Sequence, residues 1–309
     1  MVRRSPILLL FITAFFSFGA ITAAALTIDA SFDIGNLGFT ASRSNTDTGL
    51  PTTTYPWGFR IGLQQPISDT LLLQTGVERD NLLGNSLYVR FLHRGQWATL
   101  AVGPYLGVLD SFSRPFYVPA GISSYLKAEL WSAGYLSIEA DQPLTSAPSS
   151  DGDYWQRKLN LAGGFYLPNI IASARIDTTE RIETTGKGDI TSTINSYAFE
   201  TDIFQKNIPY RILLTFAYRN YIKDFDYAVN PSRQTMGTLV FGTRVTLDLG
   251  GGTSYYASLD SALYTFGRDD LLGEFDSGSY IFRAQTGISL DLAALTDSRA
   301  KKQKVNSDQ

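Results

Sequence analysis

Cysteine is absent from this sequence, histidine occurs once and methionine twice. Without cysteine the chain can form neither disulfide bonds nor thiolate metal sites, and it has no thiol nucleophile. Beyond residue 25 there is also no uninterrupted apolar run of about twenty residues, the length that a helix needs to cross a bilayer. These absences exclude disulfide-rich folds, cysteine chemistry and helical membrane spans.

An excess of positive charge is missing as well. The chain has 26 Lys+Arg against 29 Asp+Glu, a formal net charge of -3. Because nucleic-acid binding needs a clustered basic surface, we expect no nucleic-acid partner. The run Gly250-Gly251-Gly252 indicates a hairpin turn and not a phosphate loop, since no helix follows it. We therefore expect no cofactor and no metal.

The first 25 residues have the order of a secretory signal peptide. Arg3 and Arg4 form a charged beginning, residues 7–18 form an apolar core, and residues 23–25 are three alanines. The core is too short for a comfortable transmembrane helix, and small residues suit a cleavage site. We predict that residues 1–25 are removed on export, with an uncleaved anchor as the alternative.

The residues that are abundant favour strands. The chain has 27 Gly, 17 Tyr and 19 Phe, and aromatic richness is typical of sheets. Residues 55–64, 239–249 and 282–292 alternate apolar and polar side chains with a period of two. A strand of a membrane barrel alternates in this way between lipid and lumen.

This pattern predicts fourteen strands. They cover residues 26–41, 55–64, 70–79, 86–94, 96–108, 120–130, 133–141, 156–167, 169–181, 193–205, 209–221, 236–249, 253–266 and 279–292. Most reach the length of about nine to eleven residues that a tilted strand needs to cross a bilayer. Segments 70–79 and 133–141 are the weakest, which leaves twelve strands as an alternative.

The connections alternate between short turns and longer polar loops. Short turns are expected at 65–69, 94–96, 131–133, 168, 206–209 and 250–252, and longer loops at 42–54, 80–85, 110–119, 142–155, 182–192, 222–235 and 267–278. Outer-membrane barrels have this arrangement, with the turns on the periplasmic side. We predict one all-β, transmembrane, antiparallel up-and-down β-barrel over residues 26–292. The polar, basic tail 293–309 is expected to be disordered.

Many charged residues share one parity along these strands. A lipid-facing Arg or Lys near the bilayer midplane would cost about 2–4 kcal/mol, so these charges are expected to face water or one another. The predicted lumen-lining residues are Arg60, Glu78, Arg90, Lys127, Glu129, Glu139, Arg175, Glu200, Arg211, Arg219, Arg244, Asp248, Asp260 and Arg283. Since about eight strands fill a barrel and about sixteen leave a channel, the strand count favours a water-filled pore of mixed charge and weak ion selectivity. A lumen plugged by salt bridges, or by an inward loop at 142–155, is the alternative.

The end of the last predicted strand resembles a signal known from barrel proteins. The segment from Gln285 through Gly287 and Leu290 to Leu292 is similar to the degenerate assembly signal of barrel proteins. With the strand pattern, it makes the chain resemble small monomeric fourteen-stranded porins, although the sequence departs from them by continuing to Gln309. The resemblance implies a monomer in the cell outer membrane. Its partners would be lipid, the barrel-assembly machinery, and the ions or small hydrophilic solutes that diffuse through it.

Other functions stay open. A surface hydrolase would need a base near the outer loops, but His93, the one histidine, lies beside the predicted turn at 94–96. The adjacent carboxylates Asp269 and Asp270 are more simply read as solvated surface. We therefore predict no catalytic residue and no enzyme. A barrel without an open pore, acting as a structural or surface-interaction protein or as a surface hydrolase, is the alternative.

Overall fold

The computed structural model describes residues 26–35, 57–80, 84–108, 120–144, 154–227, 231–269, 273–276 and 282–295. The predicted signal peptide, residues 36–41 of the first predicted strand, the predicted loops 42–54 and 110–119, and the tail from residue 296 lie outside these ranges. No helix in the described part of the chain has the length and apolar character needed to cross a membrane.

Within the described residues, fifteen strands follow one another along the chain. They are β1 (Thr27–Gly35), β2 (Trp57–Pro66), β3 (Leu71–Asp80), β4 (Gly84–Arg94), β5 (Ala98–Val108), β6 (Ala120–Leu130), β7 (Gly134–Pro143), β8 (Tyr154–Leu167), β9 (Ile170–Thr185), β10 (Gly188–Phe204), β11 (Tyr210–Tyr227), β12 (Ser232–Gly250), β13 (Thr253–Asp269), β14 (Gly273–Asp276) and β15 (Phe282–Asp291). The short β14 pairs with the end of β13, and β15 pairs with the remainder of that strand. They share one position, so the barrel has fourteen strands, as predicted, and not twelve.

Backbone pairing closes the sheet on itself. Each strand from β1 to β12 pairs antiparallel with the next, and β15 pairs with both β13 and β1. The closing register runs from Thr27 opposite Asp291 to Gly35 opposite Arg283. Closure pairs the free edges of β1 and β15 with each other, which matters in lipid because no water is present there to satisfy backbone groups. The predicted antiparallel up-and-down barrel is confirmed.

Apolar side chains face outward around this barrel. On β1 to β3, Phe32, Ile61 and Val77 are 45%, 43% and 38% exposed, whereas Asp33, the neighbour of Phe32, is buried. Other exposed outward residues are Phe91, Leu126, Leu136, Phe165, Phe199, Phe216, Phe241 and Leu259. A soluble monomer rarely exposes so continuous an apolar surface. The outer face is therefore suited to lipid.

The turns at one end of the barrel agree with the predicted short turns. They occupy residues 67–70, 95–97, 131–133, 168–169, 205–209 and 251–252. Asn169 has a φ of 65°, in the left-handed region that asparagine tolerates better than most residues. Gly250, Gly251 and Gly252 all have positive φ, so this turn depends on glycine.

The loop predicted at residues 182–192 is wrong. β9 continues to Thr185 and β10 begins at Gly188, so only two residues form the turn between them. β11, β12 and β13 also extend into the predicted loops 222–235 and 267–278. Outward positions in this part of the wall, such as Thr178 and Thr193, are polar. Here the strands pass beyond the apolar band, and the alternation that identifies a membrane strand is lost.

A bulge in β13 changes which of its residues face inward. Leu239 lies opposite Tyr264, but the next residue, Val240, lies opposite Ala262. Leu263 is therefore left without a register partner, and it is 60% exposed. The extra residue reverses the parity of the strand, as β-bulges do.

Glycine on β3 makes room for an aromatic ring inside the barrel. Gly76 lies opposite Tyr88 in the β3–β4 register. A Cβ atom at position 76 would lie 2.4 Å from the Cζ atom of Tyr88. The tyrosine ring therefore lies across the glycine, an arrangement that stabilises a strand glycine by covering it.

We expect Gly76→Ala to destabilise the barrel by about 1–3 kcal/mol, because the added methyl displaces the packed Tyr88 ring. Urea unfolding in lipid vesicles measures this change. Gly62→Ala is the matched control, since Gly62 is the register partner of Gly76 and its Cβ would meet Asp29 Cβ at a comfortable 3.7 Å. Equal losses in the two variants would contradict the packing of Tyr88 over Gly76.

The lipid-facing surface makes a second prediction. Leu126 is 42% exposed in the middle of β6, so Leu126→Arg should destabilise the inserted barrel by about 2–4 kcal/mol. Thr70→Arg places the same charge in an exposed turn, where the cost should be about 0–1 kcal/mol. Urea unfolding of both variants in lipid vesicles measures the two losses of unfolding free energy. If Leu126→Arg leaves the unfolding free energy unchanged, this face does not contact lipid.

Candidate functional site

The inside of the described barrel holds two cavities, which lie one after the other along its axis. The loop-side cavity has a volume of about 370 Å³ and is lined by Glu78 and Arg283, among others, near the loop ends of their strands. The turn-side cavity has a volume of about 310 Å³ and is lined by Gln64 and Gln74 near the short turns. Charged and amide side chains thus surround space large enough for water.

Two side chains lie where the cavities meet. Arg60 on β2 and Tyr88 on β4 line both of them. Arg60 lies opposite Ser31 on one side and opposite Glu78 on the other. The Arg60 guanidinium and the Tyr88 ring therefore lie between the two cavities.

A buried polar cluster fills the wall formed by β4, β6 and β7. The Arg90 cluster consists of Arg90, Ser123, Glu139, Asp141 and the ring of Tyr88. Arg90 Nη2 lies 2.7 Å from Glu139 Oε1 and 3.1 Å from Asp141 Oδ1, and its Nε donates to Ser123 Oγ at 2.7 Å. The guanidinium carbon lies 4.2 Å from the centre of the Tyr88 ring. Since Arg90 is only 2% exposed, its charge is compensated within the wall, where two carboxylates share this one arginine.

The packed wall continues toward β5 and β8. The Tyr105 hydroxyl donates to the backbone carbonyl of Gln156 at 3.4 Å, and neither residue is exposed. β5 and β8 are three positions apart in the barrel, so this contact spans a chord of its cross-section. One side of the lumen is consequently filled by side chains.

An ion pair crosses the lumen next to this wall. Lys158 Nζ on β8 donates to Glu78 Oε2 on β3 at 2.9 Å. The two strands are five positions apart in the barrel. Both side chains stay partly exposed, so the bridge narrows the loop-side cavity without sealing it.

Further ion pairs lie on the opposite wall. Arg175 contacts Asp177 at 2.8 Å and Glu200 at 3.1 Å, Arg219 contacts Asp260 at 3.2 Å, and Arg283 contacts Asp33 at 3.1 Å. Each pair joins residues on the same strand or on nearby strands. These charges therefore follow the wall.

Four of the predicted lumen residues lie at the turn end of the barrel instead of at mid-height. Lys127 pairs with Glu129 at 2.6 Å, and Tyr166 donates to Glu129 at 2.9 Å. Arg211 pairs with Asp202 and is half exposed. Asp248 accepts the Gly250 N–H at 2.8 Å, so it shapes the turn that follows β12.

Two arginines at mid-height have no carboxylate within ion-pair distance among the described residues. Arg60 faces Glu78, but Glu78 forms its ion pair with Lys158. Arg244 donates to the Gln285 amide oxygen at 3.3 Å, and its guanidinium carbon lies 4.8 Å from the centre of the Tyr256 ring. Both guanidiniums line the loop-side cavity.

The fourteen predicted residues all lie on the inward side of the strand register. Arg60, Glu78, Glu139, Arg175, Arg219, Arg244 and Arg283 line the loop-side cavity directly. Sequence reasoning missed Tyr88 and Asp141, although they share the parity of Arg90 and Glu139. A role of any of these residues in transport stays a prediction.

Groups for catalysis or metal binding are sparse in the described residues. His93 is exposed near the turn end of β4. Within the same residues there is no group of three or more His, Asp or Glu side chains that could hold a metal ion.

Comparison with known proteins finds no matching family model and no matching curated protein. Among solved structures, the chain is similar to outer-membrane expressed OmpT of Vibrio cholerae, with 10% identity, coverage of 87% of this chain and 98% of that chain, and a TM-score of 0.39. It is similar to a refined porin and to an anion-selective porin from Comamonas acidovorans, each with 11% identity, coverage of 86% and 98%, and a TM-score of 0.38. The fold is established by the strand pairing of the chain itself. The chain is a closed antiparallel β-barrel that resembles outer-membrane porins.

The Arg90 cluster predicts a large effect of one substitution. Arg90→Met leaves Glu139 and Asp141 without their buried cation, so we expect a loss of about 3–5 kcal/mol in unfolding free energy. Arg211→Met removes an arginine whose pair is exposed to water, and it should cost less than about 1 kcal/mol. Urea unfolding of the two variants compares them directly. A loss for Arg90→Met no greater than that for Arg211→Met would show that the cluster does not stabilise the barrel.

Proposed function

We propose that this chain is an outer-membrane channel for the passive diffusion of ions and small hydrophilic solutes. The observation that carries the proposal is the pair of polar cavities, which follow one another through a closed barrel and meet at Arg60 and Tyr88. An apolar exterior and a polar interior are what a barrel needs to hold water inside a bilayer. Diffusion along such a lumen requires no moving part and no energy source.

The same features support the proposed location and partners. The outward band of apolar residues suits lipid, and a closed barrel is one of the two structures that can span a bilayer. The N-terminal segment 1–25 would direct export, and the barrel-assembly machinery would insert the chain. We also propose that the chain is a monomer, because strands of a single chain close the whole barrel by hydrogen bonds.

The geometry also limits what can pass. The Lys158–Glu78 bridge crosses the loop-side cavity, and the Arg90 cluster fills the adjacent wall. The open space therefore lies between this wall and the arc formed by β12, β13, β15, β1 and β2. We expect small solutes to pass and large ones to be excluded, since pore diameter and lining charges set the selectivity of such channels.

A barrel without an open pore is the second candidate. It is favoured by one observation, the complete burial of Tyr105 and Gln156 inside the lumen. If the remaining cavities do not connect across the membrane, the chain would act as a structural or surface-interaction protein. The surface hydrolase has no comparable observation in its favour, because His93 lies at the turn end of the barrel.

Planar-bilayer recordings on the full chain, purified from the outer membrane of a Gram-negative host, test the channel. We expect stable, near-ohmic conductance steps. Lys158→Ala should increase the step size, because it removes the side chain that crosses the lumen to reach Glu78. A folded barrel that passes no current would overturn the proposal and favour the unopened barrel.

Arg157→Ala is the matched control for this variant. Arg157 pairs with Glu180 at 2.5 Å, and both side chains lie on the outward side of β8 and β9. Arg157→Ala therefore removes an ion pair between strands without changing the lumen. Its conductance should equal that of the unmodified chain. An increase in both variants would mean that loss of an ion pair loosens the barrel, and that the crossing bridge does not narrow it.

A further inference from the structure

The turn-side cavity lies against one side of the barrel wall. Every residue of the described chain that lines it comes from β13, β15 or one of the strands β1 to β4. The neighbouring part of the lumen is filled by an apolar cluster on β3 to β6, in which Leu72, Leu92 and Ala101 are buried. Tyr125 packs against these three residues. In the turn half of the described barrel, open space therefore lies along β13, β15, β1 and β2.

Two tyrosine rings narrow this space from opposite ends. Tyr88 on β4 lies across Gly76 of the neighbouring strand β3. In the same way, Tyr256 on β13 lies across Gly287 of β15, where a Cβ atom would collide with its ring. Around the barrel these strands follow the order β13, β15, β1, β2, β3 and β4. The two rings therefore cover β15 and β3, and the strands left uncovered between them are β1 and β2.

Small residues keep the gap between the rings open. Gly62 on β2 is the register partner of Gly76, but no ring covers it. A Cβ atom at position 62 would meet only the side chain of Asp29 within 4 Å, and its nearest atom would be 3.7 Å away. Ser31 on β1 also has a short side chain, and it lines the cavity together with Gly62. These two residues thus form the floor of the gap, and Arg60 bounds the gap where the cavities meet.

Both rings lie near the level at which the two cavities meet. Tyr88 lines both cavities. Tyr256 lines the turn-side cavity, and Arg244 lines the loop-side cavity. The guanidinium carbon of this arginine lies 4.8 Å from the centre of the Tyr256 ring. The gap between the two rings is therefore next to the junction of the cavities.

We propose that Tyr88 and Tyr256 form a slot over β1 and β2, through which solutes pass from one cavity to the other, and that this slot sets the size limit of the channel. The inference rests on the proposed channel function. Pore diameter is one of the properties that set the selectivity of a channel, and a ring that covers a strand glycine is held against the wall. Ions and narrow hydrophilic molecules are the solutes that fit between two such rings.

The size of the neutral polymers that enter the pore tests the slot. Tyr256→Ala removes one ring, so it should increase the single-channel conductance and admit larger polyethylene glycols than the unmodified channel admits. Tyr255→Ala is the matched control, because Tyr255 is the next residue on β13 but faces outward and is 43% exposed. It should leave the exclusion size unchanged. Equal exclusion sizes in the two variants would overturn the slot and leave the channel standing.

The absence of cysteine from the sequence allows a second test, because a single introduced thiol is then the only one in the chain. Gly62→Cys places this thiol in the slot, and its reaction with trimethylammonium-ethyl methanethiosulfonate should reduce the conductance severalfold. Ala257→Cys places the thiol on the outward side of β13, where the reagent should leave the conductance unchanged. A conducting Gly62→Cys channel whose current the reagent does not change would show that solutes pass elsewhere.

Labelling by the same reagent, measured by mass spectrometry on the folded chain in detergent, needs no current. Gly62→Cys should react readily, whereas Ala101→Cys should not, because Ala101 is fully buried in the apolar cluster. A silent barrel in which position 62 alone reacts refutes the channel and keeps the open gap between the rings. A silent barrel in which neither position reacts refutes both. Equal labelling of the two positions contradicts the slot, whether or not the barrel conducts.

Discussion

The hydrogen bonds between β1 and β15 are the contact on which the rest of the molecule depends. They join the first described strand to the last, from Thr27 opposite Asp291 to Gly35 opposite Arg283. Without them two strand edges would face lipid, where each unsatisfied backbone group costs several kcal/mol. Closure also separates an inside from an outside, and every later property of the protein follows from that separation.

Once the sheet is closed, the period of two along each strand sorts the side chains. Apolar residues such as Phe216 face lipid, and charged residues such as Arg219 face the lumen. Burying so many charges in a narrow space requires that they pair with one another, as Arg90 does with Glu139 and Asp141. The fold therefore determines the electrostatics of the lumen, because the alternation that stabilises the barrel in lipid also places charged side chains in its interior.

The interior is not symmetric. On one side, Arg90, Tyr105 and Gln156 are almost completely buried, and the Lys158–Glu78 bridge reaches across to the opposite strands. On the other side, Arg244 donates to the amide oxygen of Gln285. The outer wall is also uneven, because β9 to β13 have 16 to 19 residues whereas β2 to β7 have 10 or 11.

The sequence by itself predicted the barrel, the positions of the short turns and the inward parity of residues such as Arg60 and Glu78, because lipid on one face imposes alternation on each strand separately. It left the choice between fourteen and twelve strands open, and the strand pairing of the closed sheet decided it. It did not determine where strands end beyond the apolar band. The sequence of segment 182–192 indicates a loop because polar residues occupy positions of both parities there and no alternation remains. Only the tertiary structure decided which charges meet. Lys158 pairs with Glu78, which is 80 residues away, while Arg60, which faces Glu78 in register, has no carboxylate within ion-pair distance in the part of the chain that the structure describes. Such choices depend on the curvature of the closed sheet and the reach of each side chain across the lumen, neither of which the order of residues along one strand contains.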